Sequence, residues 1–187
     1  MNEINKFRIF NKLKSIYRIN SVEDRKESTA EHTWSCLMLA DFFLSEMKDK
    51  KIDRLKVYEL LMYHDIVEIE AGDTPLHPDN TSTDKRERES KALATLQKQI
   101  PTVLSEKFGR LFNEFEAMQT IEARFAKAVD ALDAEIHELN YKKDWKGWTA
   151  DFLVAKKSKL FHEFPKMKKV FESVLKYLIE NNYFNQS

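Results

Sequence analysis

The sequence is poor in the residues that build turn-rich or cross-linked folds. It has three glycines and four prolines in 187 residues, too few for the many turns of a β-rich fold. Its one cysteine, Cys36, lies in the apolar stretch CLMLADFFL and has no partner for an internal disulfide. These features exclude a disulfide scaffold and predict a buried, inert thiol.

An excess of charge of either sign is also missing. The 31 Lys and Arg residues are balanced by 31 Asp and Glu residues. A protein that binds long nucleic acid normally has a basic excess, so we expect no such partner. A small phosphorylated ligand is compatible with this balance, because one local cluster of Arg or Lys is enough to bind it.

The chain lacks long hydrophobic runs. No stretch reaches the ~18 apolar residues that a spanning helix needs. The N-terminal segment MNEINKFRIFNK has no apolar region followed by a small-residue cleavage site. We therefore expect no membrane association and a cytoplasmic location.

What the sequence does contain is apolar residues at helical spacing. Hydrophobic residues make up 42% and charged residues 33% of the chain, as in ordinary soluble proteins. The spacing predicts an all-α fold, a single compact helical bundle over residues 1–187. Ser28 and Glu31 have capping-box spacing, Asp53 is a plausible N-cap and Gly72 a plausible stop. Helices are predicted at about 4–18, 32–47, 53–71, 84–100, 102–116, 120–141, 150–162 and 166–181, with a loop at 73–83.

Four polar residues do not fit a plain bundle. They are His32, His64, Asp65 and Asp130, each next to apolar helix residues. Any one of them alone is common at a helix end or on a solvated face. Together, two imidazoles and two carboxylates offer mixed nitrogen and oxygen ligation. That set suits one divalent ion such as Mn, Fe, Co, Ni, Zn or Mg, and an ion with open positions can polarise a phosphoryl oxygen.

Two more carboxylates follow in the same stretch. On a continuous helix Glu68 shares a face with His64 and Asp65, so it can serve as a general acid or base. Its ordinary alternative is a solvated helix residue. Asp73, just past Gly72, can accept a hydrogen bond from a substrate hydroxyl or can simply cap a turn.

These residues carry a family resemblance. The segments HT (32–33), HDIVE (64–68) and KAVDAL (127–132) resemble the spaced H…HD…D signature of the HD-domain metal-dependent phosphohydrolases. The segments LKSIYR (13–18), STAEH (28–32), HDIVEIEAGD (64–73) and EARFAKAVDAL (122–132) resemble the YfbR-type 5′-deoxynucleotidases and their close relatives. The resemblance covers about residues 7–140, with residues 150–182 left for packing or dimerisation.

The resemblance implies a function and a set of roles. It implies a 5′-nucleotidase that converts (deoxy)ribonucleoside 5′-monophosphates to nucleoside and phosphate, active as a cytoplasmic homodimer. Glu68 takes the role of catalytic acid or base, Arg18 that of a phosphate contact and Asp73 that of a sugar contact. The implied metal ligands are His32, His64, Asp65 and Asp130.

The sequence departs from the nucleotidases near Arg18. They have a tryptophan where this chain has Ile19, so the preference for deoxyribose over ribose stays open. The segment between Arg18 and His32 is one residue shorter than in the type member. This leaves Arg25 as a second candidate for the phosphate contact.

Other functions remain as alternatives. An alarmone hydrolase usually carries a Glu-Asp pair after its HD dipeptide, whereas Glu68 is followed here by Ile69. The extension typical of cyclic dinucleotide phosphodiesterases is absent from the sequence. A non-catalytic helical binding module with a degenerate site is the alternative of a different kind, and it predicts no bound metal.

Overall fold

The fold was described from a computed structural model, which covers residues 2–47, 51–81 and 83–184. Residue 82 of the predicted loop lies outside this range. The described part is helical apart from one two-stranded sheet, so the all-α prediction is confirmed. Its α-helices and strands are α1 (Glu3–Phe7), β1 (Tyr17–Val22), β2 (Arg25–Ser28), α2 (Thr29–Glu46), α3 (Arg54–Tyr63), α4 (Glu68–Ala71), α5 (Lys85–Gln99), α6 (Thr102–Ala117), α7 (Ile121–His137), α8 (Ala150–Lys157) and α9 (Pro165–Glu180). Short 3₁₀ segments lie at Arg8–Ser15, Glu138–Asn140, Lys142–Trp145 and Ser158–Phe161.

The core lies between α2, α3, α6 and α7, which pack against one another. Phe43, Leu60, Phe108 and Val129 are buried there, one from each helix. Cys36 is also fully buried in this core, as the sequence predicts. Burial of apolar area is what holds these helices together, because polar termini and solvated faces add little.

Side-chain caps fix where the core helices begin. The Ser28 hydroxyl accepts from the Glu31 backbone N–H, and the Glu31 carboxylate accepts from the Ser28 backbone N–H, so the predicted capping box begins α2. Asp53 accepts from Lys56 N at the start of α3. Each cap satisfies backbone donors that a helix start leaves unpaired.

The prediction of a helix over 4–18 is wrong at its end. Helical turns stop at Ser15, Ile16 is extended (φ −91°, ψ 121°), and β1 pairs antiparallel with β2. The two-residue turn contains Glu23 with φ 53°, a conformation that normally calls for Gly or Asn. The hairpin was missed because this turn has no glycine and the strands are short and polar.

The hairpin is tied to a distant part of the chain. Ser21 donates from its backbone N–H to Asp144 Oδ2 (2.6 Å) and from its hydroxyl to Asp144 Oδ1 (2.9 Å). The Glu23 N–H donates to the Tyr141 hydroxyl (3.0 Å). His137 Nε2 lies 2.7 Å from the Ser21 carbonyl oxygen. These bonds hold β1 against the end of α7 and the 3₁₀ segments that follow it.

The predicted helix over 53–71 is interrupted. Helix α3 ends at Tyr63 and α4 begins at Glu68. Between them, Glu68 N donates to Asp65 O (3.0 Å) and Ile66 N to Tyr63 O (3.3 Å), three-residue spacings that tighten the chain. The shared helical face argued for Glu68 is therefore wrong, although Gly72 does end the segment with φ 72°.

The C-terminal helices belong to the same core. Leu153, Phe161, Phe171 and Leu178 are buried, and α9 packs against α7. Core packing therefore accounts for the apolar stripe predicted past residue 150. The segment WKGW, residues 145–148, is a packed loop in which both tryptophans are buried. None of the helices in the described ranges is long and apolar enough to cross a membrane.

Candidate metal centre and substrate cavity

Three parts of the fold bring the polar residues together. His32 lies in the first turns of α2, on the face that is buried, and Asp130 lies on α7. His64 is the C-cap of α3, and Asp65 follows in the tight turn. His32 and Asp130 are 98 residues apart in sequence, yet His32 Nε2 is 3.1 Å from Asp130 Oδ1.

The hydrogen bonds of the two imidazoles fix which ring nitrogen faces the centre. His64 Nδ1 is 2.7 Å from the Leu61 carbonyl oxygen, and a carbonyl can only accept. His32 Nδ1 is 2.9 Å from Asp133 Oδ2, and Ser35 holds the other oxygen of Asp133 at 2.6 Å. Both Nδ1 atoms therefore carry hydrogen and both Nε2 atoms face the centre, so the neutral rings would present their Nε2 lone pairs to a metal, as metal-binding histidines do.

At the centre, hydrogen-bond acceptors lie next to one another with no donor between them. His64 Nε2 and Asp65 Oδ2 are 2.9 Å apart, and both are buried without a hydrogen-bond partner. His32 Nε2 is 3.9 Å from the same Asp65 oxygen. Lone pairs crowded together out of water are unfavourable unless a cation lies between them. The donor set of two imidazoles and two carboxylates fits a divalent ion.

The pKa shifts of Asp65 and Asp130 also indicate that the centre favours positive charge. Burial would raise the pKa of Asp65, but the neighbouring imidazoles, His64 above all, lower it to about 2. Burial likewise opposes ionisation of Asp130, yet the hydrogen bond to His32 and nearby cations hold its pKa well below the ordinary value. A divalent ion at the centre would offset the negative charge of these two carboxylates, as protons on the neighbouring imidazoles would.

Cys36 also lies near this centre but has a different orientation. Its sulfur is 3.5 Å from His32 Nε2 and 3.7 Å from His32 Nδ1. Because the two distances are nearly equal, the sulfur lies against the ring face and away from the lone pair. Burial also raises the pKa of the thiol to about 12. A neutral thiol in this position is a packing group.

Glu68 is held beside the centre as a buried acid. Thr29 donates from its hydroxyl to Glu68 Oε2 at 2.8 Å. Burial, together with the charges of Asp65 and Asp73, raises the pKa of Glu68 to about 9. Its carboxyl group is therefore protonated at neutral pH, which is the state that a general acid needs.

The two candidate arginines occupy different places. Arg18, on β1, is largely buried, with Nε 3.1 Å from Glu27 Oε2 and Nη1 4.0 Å from Asp65 Oδ2. Arg25 is half exposed and forms a bidentate pair with Glu31 at 2.5 and 2.9 Å, outside the cavity that contains the metal centre. The fold thus brings Arg18 to the centre and leaves Arg25 on the surface.

A cavity of about 270 Å³ opens over the centre. Its wall includes His64, Asp65, Glu68, Asp130 and Arg18, and also Asp73 and Ile19. Burial raises the pKa of Asp73, against the attraction of Arg18. Six of the seven residues proposed from the sequence line this cavity, and His32 lies behind it, fully buried.

Sequence reasoning missed several residues that support the centre. Asp133, which the sequence alone offers either as a surface helix carboxylate or as a supporting partner of the ligands, is buried against His32. No sequence motif predicts that Thr29 contacts Glu68 or that Glu27 contacts Arg18. The one available signal was the spacing of Asp133, three residues after Asp130, which places both on one face of α7.

A sequence profile of the HD domain family matches residues 10–168. The chain therefore belongs to the HD domain family, and the resemblance found in the sequence is confirmed. The structure is similar to the crystal structure of a predicted metal-dependent phosphohydrolase from Magnetospirillum magnetotacticum MS-1, with 32% identity and a TM-score of 0.82, covering 97% of this chain and 93% of that chain.

Two curated relatives have names that state an activity. The 5′-deoxynucleotidase hdd1 of Schizosaccharomyces pombe is 27% identical over 128 residues, which is 66% of this chain. The 5′-deoxynucleotidase HDDC2 of Dictyostelium discoideum is 25% identical over 144 residues, which is 73% of this chain. This chain spans 63% of the length of the first and 76% of the second.

Proposed function

We propose that this protein is a metal-dependent phosphohydrolase that converts (deoxy)ribonucleoside 5′-monophosphates to nucleoside and phosphate. The observation that carries the proposal is the set of unpaired acceptors on His64 and Asp65, buried at the floor of a cavity that also presents the Arg18 guanidinium and the buried carboxyl group of Glu68. Related proteins named metal-dependent phosphohydrolase and 5′-deoxynucleotidase support it.

The metal ligands in this proposal are His32, His64, Asp65 and Asp130. When bound there, one divalent ion (Co, Mn, Fe, Ni, Zn or Mg) would polarise a phosphoryl oxygen and lower the pKa of a water toward ~7. Asp133 keeps His32 in the orientation and tautomer that the ligand role requires, through the 2.9 Å contact to Nδ1.

Three other side chains act on the substrate itself. Arg18 binds oxygens of the phosphate, for which a planar guanidinium is well suited, and Glu27 holds it in place (3.1 Å). Glu68, whose pKa is raised above all by burial, gives a proton to the leaving 5′-oxygen of the nucleoside and regains one from the water that attacks phosphorus. Asp73 accepts a hydrogen bond from a sugar hydroxyl.

A phosphate-release assay tests this function. The full chain, purified without a histidine tag, is assayed for bound metals and for phosphate release from ribo- and deoxyribonucleoside 5′-monophosphates with each divalent ion. We expect release that requires a metal and stops with a chelator. Alarmones and cyclic dinucleotides serve as alternative substrates. Turnover of those alone, or bound metal without any turnover, would contradict the nucleotidase proposal.

We also propose a cytoplasmic homodimer whose partner surface is on α2. Trp34, Met38 and Phe42 recur every fourth residue on one face of that helix and are 66%, 55% and 58% exposed. An apolar stripe of this kind marks an interaction surface, and a two-fold axis would pair it with itself. Light scattering on the wild type and on Met38→Glu tests this, with a dimer and a monomer expected.

A further inference from the structure

The substrate cavity does not end at the metal centre. It follows α7 past Asp130 to Glu135 and Glu138, about 7–12 Å further along the helix axis at 1.5 Å per residue. We call this part the Glu138 end. Its polar residues are Asn20, Glu135, Glu138, Trp148 and Lys157, all of which line the cavity and are more than nine-tenths buried.

Most polar atoms at the Glu138 end already have protein partners. Asn20 donates from Nδ2 to Glu138 Oε1 at 2.5 Å. Lys157 donates to the Ala131 carbonyl oxygen at 3.0 Å and to Glu135 Oε1. These bonds connect β1, α7 and α8, so the polar wall is rigid before any ligand arrives.

Two atoms in this wall are left over. The indole N–H of Trp148 and the second carboxylate oxygen of Glu135, Oε2, are buried and have no hydrogen-bond partner in the protein. One is a donor and the other an acceptor. Buried polar atoms are rarely left unpaired, because removing them from water costs free energy that only a new hydrogen bond offsets.

The indole of Trp148 is also held in a fixed orientation. Its ring contacts those of His77, Trp145 and Phe152, with centroid separations of 5.9, 5.7 and 5.5 Å. Such packing fixes the direction of the N–H before binding. Preorganised donors lose little entropy when a ligand arrives.

We propose that the Glu138 end is a nucleobase subsite, in which Trp148 donates to an acceptor on the base and Glu135 accepts from a neighbouring donor. This rests on the proposed function. With the phosphate at Arg18 and the metal centre, two ends of the cavity remain for the nucleoside. The end lined by Lys85, Glu89, Glu116 and Lys127 already pairs these side chains with each other, so we assign the base to the Glu138 end. Every base presents acceptors and N–H donors along its edge.

The inference is tested by Trp148→Phe, which removes the N–H and keeps an aromatic ring. The first readout is direct binding of thymidine and deoxyadenosine to the metal-loaded protein by calorimetry. We expect about tenfold weaker binding of at least one nucleoside, the usual scale for one buried hydrogen bond. Equal binding of both nucleosides by variant and wild type would overturn the subsite.

The second readout compares substrates with and without a base. The ratio of kcat/KM for a deoxynucleoside 5′-monophosphate to kcat/KM for 2-deoxyribose 5-phosphate should fall about tenfold in Trp148→Phe. The matched control is Trp145→Phe, because the Trp145 N–H is already bonded to the Glu138 carbonyl oxygen at 3.0 Å. The control should keep the wild-type ratio, and a similar fall in both variants would overturn the inference.

A second variant covers the acceptor. Glu135→Leu combined with Lys157→Met removes the acceptor without leaving its buried partner charged, and circular dichroism checks that it folds. Nucleoside binding should weaken at least about fivefold. The nucleotidase proposal and the base-subsite proposal are contradicted by different results. Wild-type protein without any phosphate release contradicts the nucleotidase, whereas unchanged nucleoside binding in either variant contradicts the base subsite.

Discussion

The polar residues at the two ends of the substrate cavity differ in how deeply they are buried and in whether they have partners. At one end, which we call the Lys127 end, Lys127 pairs with Glu116 (3.0 Å) and Lys85 with Glu89 (3.5 Å), on a surface that solvent reaches. At the Glu138 end the polar residues are buried, and two of their atoms have no partner. Exposed ion pairs are satisfied by each other and by water, whereas buried unpaired atoms indicate a ligand.

The metal centre lies where the two ends meet, so its loss should have the largest effect. Asp130→Ala removes a proposed ligand, and we expect phosphate release to fall by more than about 10⁴-fold, because charge stabilisation and water activation are lost together. Metal content by mass spectrometry should fall in parallel. A variant that keeps stoichiometric metal and near-wild-type turnover would show that the centre lies elsewhere.

Glu68→Gln should have the next largest effect. The amide fills the same space and can keep the contact with Thr29, but it cannot give up a proton. Phosphate release should fall about 10²–10⁴-fold while bound metal stays at the wild-type level. Full activity in this variant would remove Glu68 from the mechanism, and joint loss of metal would make it a structural residue instead.

Asp133→Asn tests the support behind the centre. The amide is nearly isosteric but can turn its NH₂ group toward His32 and favour the wrong tautomer. We expect metal affinity to fall about 10–100-fold, measured by competition with a calibrated chelator. Saturating metal should restore most of the activity. Unchanged affinity would mean that the 2.9 Å contact does not set the tautomer.

Lys127→Met should have the smallest effect and sharpens the comparison most. Because Lys127 is paired with Glu116 at a partly exposed position, its removal should change kcat/KM less than about threefold and stability by at most ~1 kcal/mol. Steady-state kinetics and thermal unfolding measure both quantities. A tenfold rise in KM would show that the Lys127 end binds substrate, and the contrast with the Glu138 end would then be wrong.

The sequence predicted the helices better than it predicted the site. Apolar periodicity and the caps at Ser28 and Asp53 located α2 and α3, because both signals are local. The break after Tyr63 was missed since nothing in HDIVE disfavours a helix. That break changes how Asp65 and Glu68 are presented to the centre.

The other features that the sequence does not predict are contacts between residues far apart in sequence. No sequence motif around Trp148 indicates a ligand contact, and its unpaired N–H becomes visible only once α7 and α8 are in place. The choice between Arg18 and Arg25 required the hairpin, whose turn lacks the usual residues. Local propensity carries no information about such pairings.

The ties between β1 and the segment after α7 have a consequence for the order of folding. Arg18 and Asn20 are carried by a strand whose anchor, the bond from Ser21 to Asp144, closes a loop of 123 residues. Contacts this distant form late, because the entropy of closing the loop is paid before they stabilise anything. During synthesis, the N-terminal half cannot complete the cavity until Asp144 has left the ribosome. The cavity, and with it the proposed phosphate contact of Arg18, is therefore complete only after Asp144 has folded against β1.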